Sequence, residues 1–364
     1  MQFCDLNRQY ETYKAEIDQA IQSVIDSSAF INGKEIELLE KELSEYIDVK
    51  HSICCSSGTD ALMLALMAVG IQPGDEVICP AYSFFASASM ISFLKAIPVF
   101  VDVSPVDFNI DVHKIEGKIT PRTKGIIAVS LFGQCADFAF INDIARQSDL
   151  WVIEDAAQSF GATYHGYKSG ALTEIAVTSF FPAKPLGCYG DGGAVFTNND
   201  TLASRVKLLR SHGQSARYFH DVVGINGRMD TLQAAILRVK LKHLDAEIVT
   251  RQLAAALYSD LLKDVVMLPE VAPVKTSVWA QYTIGVENRD QLRQKLLEKG
   301  IPTAVHYPLI LPRQQAFADL PSYDEEFQVA QLFSETVLSL PMHGMITVDE
   351  VKFVTQSIID LLHE

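Results

Sequence analysis

The chain has 364 residues, 48% of them hydrophobic and 21% charged, and its 30 Lys and Arg face 45 Asp and Glu for a formal net charge of −15. That apolar fraction excludes wholesale disorder, and the length fits two domains or one large α/β domain with an appendage. The acidic excess opposes nucleic acid and anionic membrane as partners, because Lys and Arg must neutralise their phosphates.

Residues 1–13 read as an arm. The opening MQFCDLNRQYETYKAEIDQ has no basic stretch followed by an apolar one, so no secretory signal is expected. No window approaches the ~18 uninterrupted apolar residues of a membrane helix. A cytoplasmic location is therefore expected. Cys4, Cys54, Cys55, Cys79, Cys135 and Cys188 form no CxxC pair and read as free thiols, and no ligand spacing marks a metal site.

From HSICCSS (51–57) onward, short runs rich in Val, Ile and Phe alternate with helix-like stretches. The first run leads into SSGTDAL (56–62), where Gly58 and a helix start can bind an anion through exposed N–H groups, with the Thr59 hydroxyl alongside. A plain N-cap with Asp60 in the first turn explains the same residues. DEVICPA (75–81) is the next strand, and PAYSFFASAS (80–89) then places Phe84 and Phe85 early in a helix. One of these rings could stack on a cofactor, or both could be core. IPVFVDV (97–103) and GIIAVSLF (125–132) follow as strands, with a helix expected over 138–149.

LWVIED (150–155) ends in Glu154 and Asp155. A carboxylate at the end of a buried strand is expensive unless paired. Holding a protonated heteroaromatic nitrogen, as pyridoxal 5′-phosphate (PLP) requires, accounts for it, and so does capping a following helix. Gln158 could donate to the ring oxygen of such a cofactor. AVTSFF (176–181) then brings Ser179, a plausible phosphate ligand, and Lys184 among Phe181, Pro182, Pro185 and Leu186. A lysine in such surroundings is desolvated, has a lowered pKa and can form a Schiff base with an aldehyde. The glycines that follow are spaced GxxGxGG, which is not the dinucleotide fingerprint.

GGAVFTN (192–198) closes the strand series. Strands alternating with helices imply an α/β fold with a mainly parallel sheet, flanked by helices, and a site at the carboxyl ends of its strands. A long helix is expected from about 228, with Leu232, Ile236 and Val239 on one face. Strand-like 277–286, helical 289–300 and a last helix over 348–364 make a smaller α+β unit. The expected large domain is 14–245 and the small one 246–364.

Phosphate loop, stacking aromatic, strand-end Asp and Lys come in a fixed order. With CDLNRQY, FINGKEIELLEKEL, EDAAQSFGA, GINGRMDTLQAAI and HYP (306–308), they resemble the DegT/DnrJ/EryC1/StrS family of PLP-dependent nucleotide-sugar aminotransferases over essentially the whole chain. The resemblance implies the type I, aspartate aminotransferase-like fold. It implies that Lys184 bonds the cofactor and shuttles the proton, and that Asp155 pairs with the ring nitrogen. It places Gln158 at the ring oxygen and Gly58, Thr59 and Ser179 at the phosphate. Phe84 takes the stacking position, where the family often has Trp or Tyr. Asn226 and Arg228 would reach the site from a second subunit, making a homodimer with shared sites, and His306 and Tyr307 match positions near the sugar.

VSLFGQCADF with SFFPAKPLGCYGDGGA is most similar to the branch acting on UDP-2-acetamido-2-deoxy-3-oxo-glucuronate, with L-glutamate as amino donor and surface glycans as destination. A 4-oxo-6-deoxy nucleotide sugar is the alternative substrate. Lys184 disfavours the family's dehydratases, which carry His there. A nucleotide-sugar-binding regulator that lost the chemistry is the non-enzyme alternative.

Overall fold

A computed structural model describes residues 1–320 and 327–363. The seven apolar runs all become strands of one sheet. They are His51–Cys55 (β1), Glu76–Pro80 (β2), Ile97–Val101 (β3), Thr123–Val129 (β4), Trp151–Asp155 (β5), and, beyond a small hairpin of Thr163–Tyr164 (β6) and Tyr167–Lys168 (β7), Ile175–Ser179 (β8) and Gly193–Thr197 (β9). Their spatial order is β1-β9-β8-β5-β4-β2-β3. Only β9 pairs antiparallel, with both β1 and β8, so the other six strands point the same way. Ile53, Val77, Ile127 and Val177 are buried on one face and Cys54, Ile78, Ile126 and Ala176 on the other, as expected for a sheet covered on both sides.

Helices cover the two faces. The helices up to residue 210 are Leu6–Ser27 (α1), whose Ile17 packs on Ile236 and Val239 of a later helix, and Lys34–Ile47 (α2), Gly58–Val69 (α3), Ala86–Phe93 (α4), Phe138–Gln147 (α5) and Asp200–Arg210 (α6), which flank the sheet. The arm expected over 1–13 is shorter than that, because α1 already begins at Leu6. Asp5 caps it by accepting the Arg8 N–H at 3.0 Å, and Gln9 is buried against Glu247 at 2.8 Å. Helix α4 starts at Ala86, so Phe84 and Phe85 precede it rather than lie inside it.

A two-stranded hairpin of Gln214–Ala216 (β10) and Phe219–His220 (β11) leads to the long helix Thr231–Leu262 (α7). The expected 245/246 boundary falls inside α7, which runs unbroken from the sheet into the smaller unit. There its second half packs with Tyr282–Gly285 (β12), Arg289–Glu298 (α8), Val337–Leu340 (β13) and Val348–His363 (α10) around Tyr258, Tyr282, Leu292 and Ile358. The last residue of the expected final helix, Glu364, lies outside the described residues. Among those described, no helix is long and apolar enough to cross a membrane.

Helix Gln328–Thr336 (α9) is fastened to the sheet by one buried side chain. Asp102, just past β3, accepts the N–H groups of Val329 at 3.2 Å and Ala330 at 2.9 Å, and pairs with Lys114 at 3.0 Å. Asp102→Ala strips those N–H groups of their partner and leaves Lys114 only the more distant Asp111 carboxylate at 3.7 Å. It is expected to lower unfolding free energy by roughly 2–3 kcal/mol, read as a shift of the urea midpoint. An unchanged midpoint would contradict this capping role.

Candidate active site

The carboxyl ends of the parallel strands converge on one cavity of about 390 Å³. The end of β1 supplies Ser57, Gly58 and Thr59; the end of β2 supplies Ser83 and Phe84; β5 ends in Asp155 and β8 in Ser179. Lys184 enters from the turn after β8, and His306 and Tyr307 come from the smaller unit. Of the expected site residues, nine line this cavity together. Asn226 and Arg228 do not.

The start of α3 combines both readings of SSGTDAL. Ser57 is the N-cap, accepting the Asp60 N–H at 3.0 Å. Gly58 sits hard against β8, since a Cβ built on it would lie 2.6 Å from the Ser179 Cβ. Only glycine lets the helix start lie this close to the Ser179 hydroxyl, and the result is a cradle of N–H and O–H donors for a phosphate.

Asp155 is 5% exposed and does not cap a helix, because a turn follows β5. Its Oδ1 accepts the Ala157 N–H at 3.1 Å and its Oδ2 accepts the Ser87 hydroxyl at 3.2 Å. Burial raises its pKa, opposed by the Ala157 N–H, Lys184 and Ser87. A carboxylate this buried is stabilised by a cation at its free edge, and a protonated ring nitrogen is such a cation. Burial likewise lowers the Lys184 pKa, with Asp155 acting the other way. An amine so placed is closer to the neutral, nucleophilic form than a surface lysine.

Gln158 is fixed at both ends of its amide. Its Oε1 accepts the Phe132 N–H at 2.9 Å, and its Nε2 donates to the Tyr307 hydroxyl at 3.1 Å. Tyr307 is held further by its own N–H, which donates to the Tyr82 hydroxyl at 2.8 Å, while that hydroxyl donates to the His306 carbonyl. His306 contacts the Ser339 hydroxyl through Nδ1 at 2.9 Å, and burial, with Lys184 nearby, pushes its pKa down to about 4. It is therefore neutral near pH 7. Phe84, 54% exposed, presents its ring at the mouth, tilted 6.2 Å from Tyr307.

Several lining residues lie outside the expected site set: Phe3, Cys4, Asp191, Ala280, Gln281 and Met342, although Cys4 and Asp191 fall inside motifs of the resemblance. Phe3 and Cys4 belong to the stretch read as an arm. Ser87 and Tyr82, which steady Asp155 and the 306–307 segment, also look like ordinary helix and strand-end residues. Among the described lining residues Lys184 is the only cation, whereas Asp155 and Asp191 are both acidic. No group of three or more potential metal-ligating side chains occurs among the described residues.

The donor set fits PLP: a phosphate cradle at Gly58, a buried carboxylate, a desolvated amine and an exposed aromatic ring around one cavity. A family model described as the DegT/DnrJ/EryC1/StrS aminotransferase family matches residues 11–359. A UDP-2-acetamido-2-deoxy-3-oxo-D-glucuronate aminotransferase from Pseudomonas aeruginosa is 47% identical over 97% of this chain and 98% of its own. A crystal structure of a family aminotransferase from Brucella abortus superposes with a TM-score of 0.96 at 39% identity, covering 100% of both chains. NtdA from Bacillus subtilis, solved with bound cofactor PMP, matches with a TM-score of 0.88 at 33% identity, over 96% of this chain and 82% of its own.

Proposed function

The chain belongs to the DegT/DnrJ/EryC1/StrS aminotransferase family of PLP-dependent enzymes acting on keto-sugar nucleotides, and we propose that it moves the amino group of L-glutamate to UDP-2-acetamido-2-deoxy-3-oxo-D-glucuronate, giving the 3-amino sugar for a surface polysaccharide. The observation that carries the catalytic reading is the pairing of Lys184 with Asp155 across one cavity, beside the Gly58 cradle. The relative from Pseudomonas aeruginosa supports the choice of sugar.

PLP bound here supplies an aldehyde and a ring that withdraws electrons while its nitrogen stays protonated. Asp155 holds that proton in place. Lys184, the amine of the cavity, would hold the cofactor through that aldehyde, and once freed by the amine of glutamate it would take the proton from the donor's Cα, water then releasing the donor as 2-oxoglutarate. In the second half Lys184 returns a proton at C3 of the sugar. Gly58, Thr59 and Ser179 would hold the phosphate, Gln158 would reach the ring oxygen, and Phe84 would stack on the ring. Neutral His306 and Tyr307 face the sugar and add no charge.

An anionic cofactor, a diphosphate and a uronate need more cations than Lys184, the one cation among the described residues lining the cavity. Arg228 is half-buried, with a buried Nε lacking a partner, and Asn226 is exposed; neither lines its own chain's cavity. The neighbouring hairpin exposes Tyr218 (78%), Phe219 (70%) and, just beyond it, Val223 (89%). Apolar exposure of this extent beside an unused guanidinium supports a homodimer in which the partner's Asn226 and Arg228 complete each site. Mixing inactive Lys184→Ala and Arg228→Ala proteins, with subunit exchange, should then restore about a quarter of wild-type activity, because half the dimers hold one intact site. No recovery would place Arg228 in its own chain's site.

The substrate is tested by assaying keto-sugar nucleotides with glutamate and locating the new amine on each product. Amine at C3 of the UDP-uronate is the expected result. Preference for a 4-oxo-6-deoxy sugar would replace this reading.

A further inference from the structure

One part of the cavity lining has a different chemistry. Phe3, Cys4, Ala280 and Met342 form an apolar corner, with the amide of Gln281 next to it. Three separate stretches of chain meet there and are tied together. The Met342 N–H donates to the Phe3 carbonyl at 3.2 Å. The guanidinium of Arg251, from α7, donates to the carbonyls of Trp279 at 3.2 Å and Met342 at 3.4 Å. Arg251 is only 3% exposed, so its charge is spent inside the protein on holding these two stretches in register. Just beyond Phe3 and Cys4, Arg8 of α1 donates to both carboxylate oxygens of Glu350 at 2.8 and 3.0 Å, which ties the start of the chain to the smaller unit. The Phe3 ring lies 6.0 Å from that of His306, which places it on the sugar side of the cavity.

A fixed apolar corner is out of place in a site for a polar, anionic sugar unless the substrate carries an apolar group. The side-chain oxygen of Gln281 is buried and has no donor among the described residues, so it too awaits a partner. We propose that this corner is the subsite for an N-acyl group on the sugar. The acyl methyl packs against Phe3, Ala280 and Met342, and the acyl amide is read by the Gln281 side chain. The inference rests on the keto-sugar reading above and deepens it, because it makes the 2-acetamido group a feature the enzyme selects.

The test uses the holoenzyme and two UDP-linked 3-oxo-uronates that differ only at C2, one acetamido and one hydroxyl. The wild-type enzyme should favour the acetamido sugar in kcat/KM by at least about tenfold, the usual yield of a small apolar group in a fitted pocket. Phe3→Ala, at a half-buried position near the chain start, should reduce that preference by roughly fivefold to tenfold, and Gln281→Leu should reduce it further. Ala280→Val fills the corner and should erase the preference. Equal use of both sugars by the wild type would overturn the subsite while leaving the aminotransferase reading intact. So would an unchanged preference in all three variants. Turnover of neither sugar by a wild type that still reacts with glutamate would instead refute the substrate reading and the subsite with it.

Discussion

Replacing Lys184 with alanine is expected to lower turnover by roughly 10⁴-fold or more, because one amine serves as nucleophile in forming the cofactor linkage and as the proton carrier in both halves of the reaction. The geometry explains why nothing substitutes for it. Among the described residues lining the cavity there is no second amine, His306 is neutral with its Nδ1 at Ser339, and Asp155 is committed to Ala157 and Ser87. The variant should still bind PLP, since the Gly58 cradle, Ser179 and Asp155 are untouched, but without the absorbance of a lysine-linked cofactor. Rapid release of 2-oxoglutarate from glutamate by this variant would refute the assignment. Folding should change little, because Lys184 anchors the chain through its backbone N–H, which donates to the Phe181 carbonyl at 2.8 Å whatever side chain it carries.

Asp155→Asn is the second large effect, and it separates chemistry from stability. The amide keeps an acceptor for the Ala157 N–H, so the turn after β5 survives. It loses the negative charge, and it can offer the ring nitrogen an N–H where a proton acceptor is needed, which favours the unprotonated ring. The loss of preorganised charge is expected to cost roughly 10²- to 10³-fold in turnover. Stability should fall by no more than about 1 kcal/mol, or rise, since a buried carboxylate has been neutralised. Activity and the urea midpoint measured on the same protein check this. A loss of activity that merely follows a loss of folded protein would assign Asp155 a structural part.

Much of this site was legible in the sequence because its groups sit where short strands end. A buried parallel strand of five residues announces itself by its Val, Ile and Phe content, and whatever polar residue terminates it is conspicuous. Gly58, Asp155, Ser179 and Lys184 stand at or just beyond such ends, and the order of phosphate loop, stacking aromatic, strand-end Asp and Lys carries the family resemblance. The apolar corner was not legible. Phe3 and Cys4 stand at the chain start with no periodic pattern, and it takes the Met342 N–H, the His306 ring and the Arg8–Glu350 pair to show that this stretch is built into the cavity. Asp5 likewise gives no hint, from composition alone, that α1 begins at Leu6 rather than after an arm. Ala280 and Gln281 lie before β12 in a stretch that reads as strand, and their approach to the site depends on Arg251, thirty residues back on α7. Long-range ties of this kind leave no local periodicity to read. Arg228 differs again. Its motif marked it, yet its own chain's cavity does not hold it.

The most direct measurement is the first half-reaction alone. Purified protein loaded with PLP is mixed with L-glutamate and no sugar, and the visible absorbance is followed while 2-oxoglutarate is counted. The expected result is loss of the aldehyde-form band and one 2-oxoglutarate per protomer, with the band restored by the keto-sugar nucleotide. Bound PLP whose spectrum ignores glutamate, with no 2-oxoglutarate formed, would contradict it.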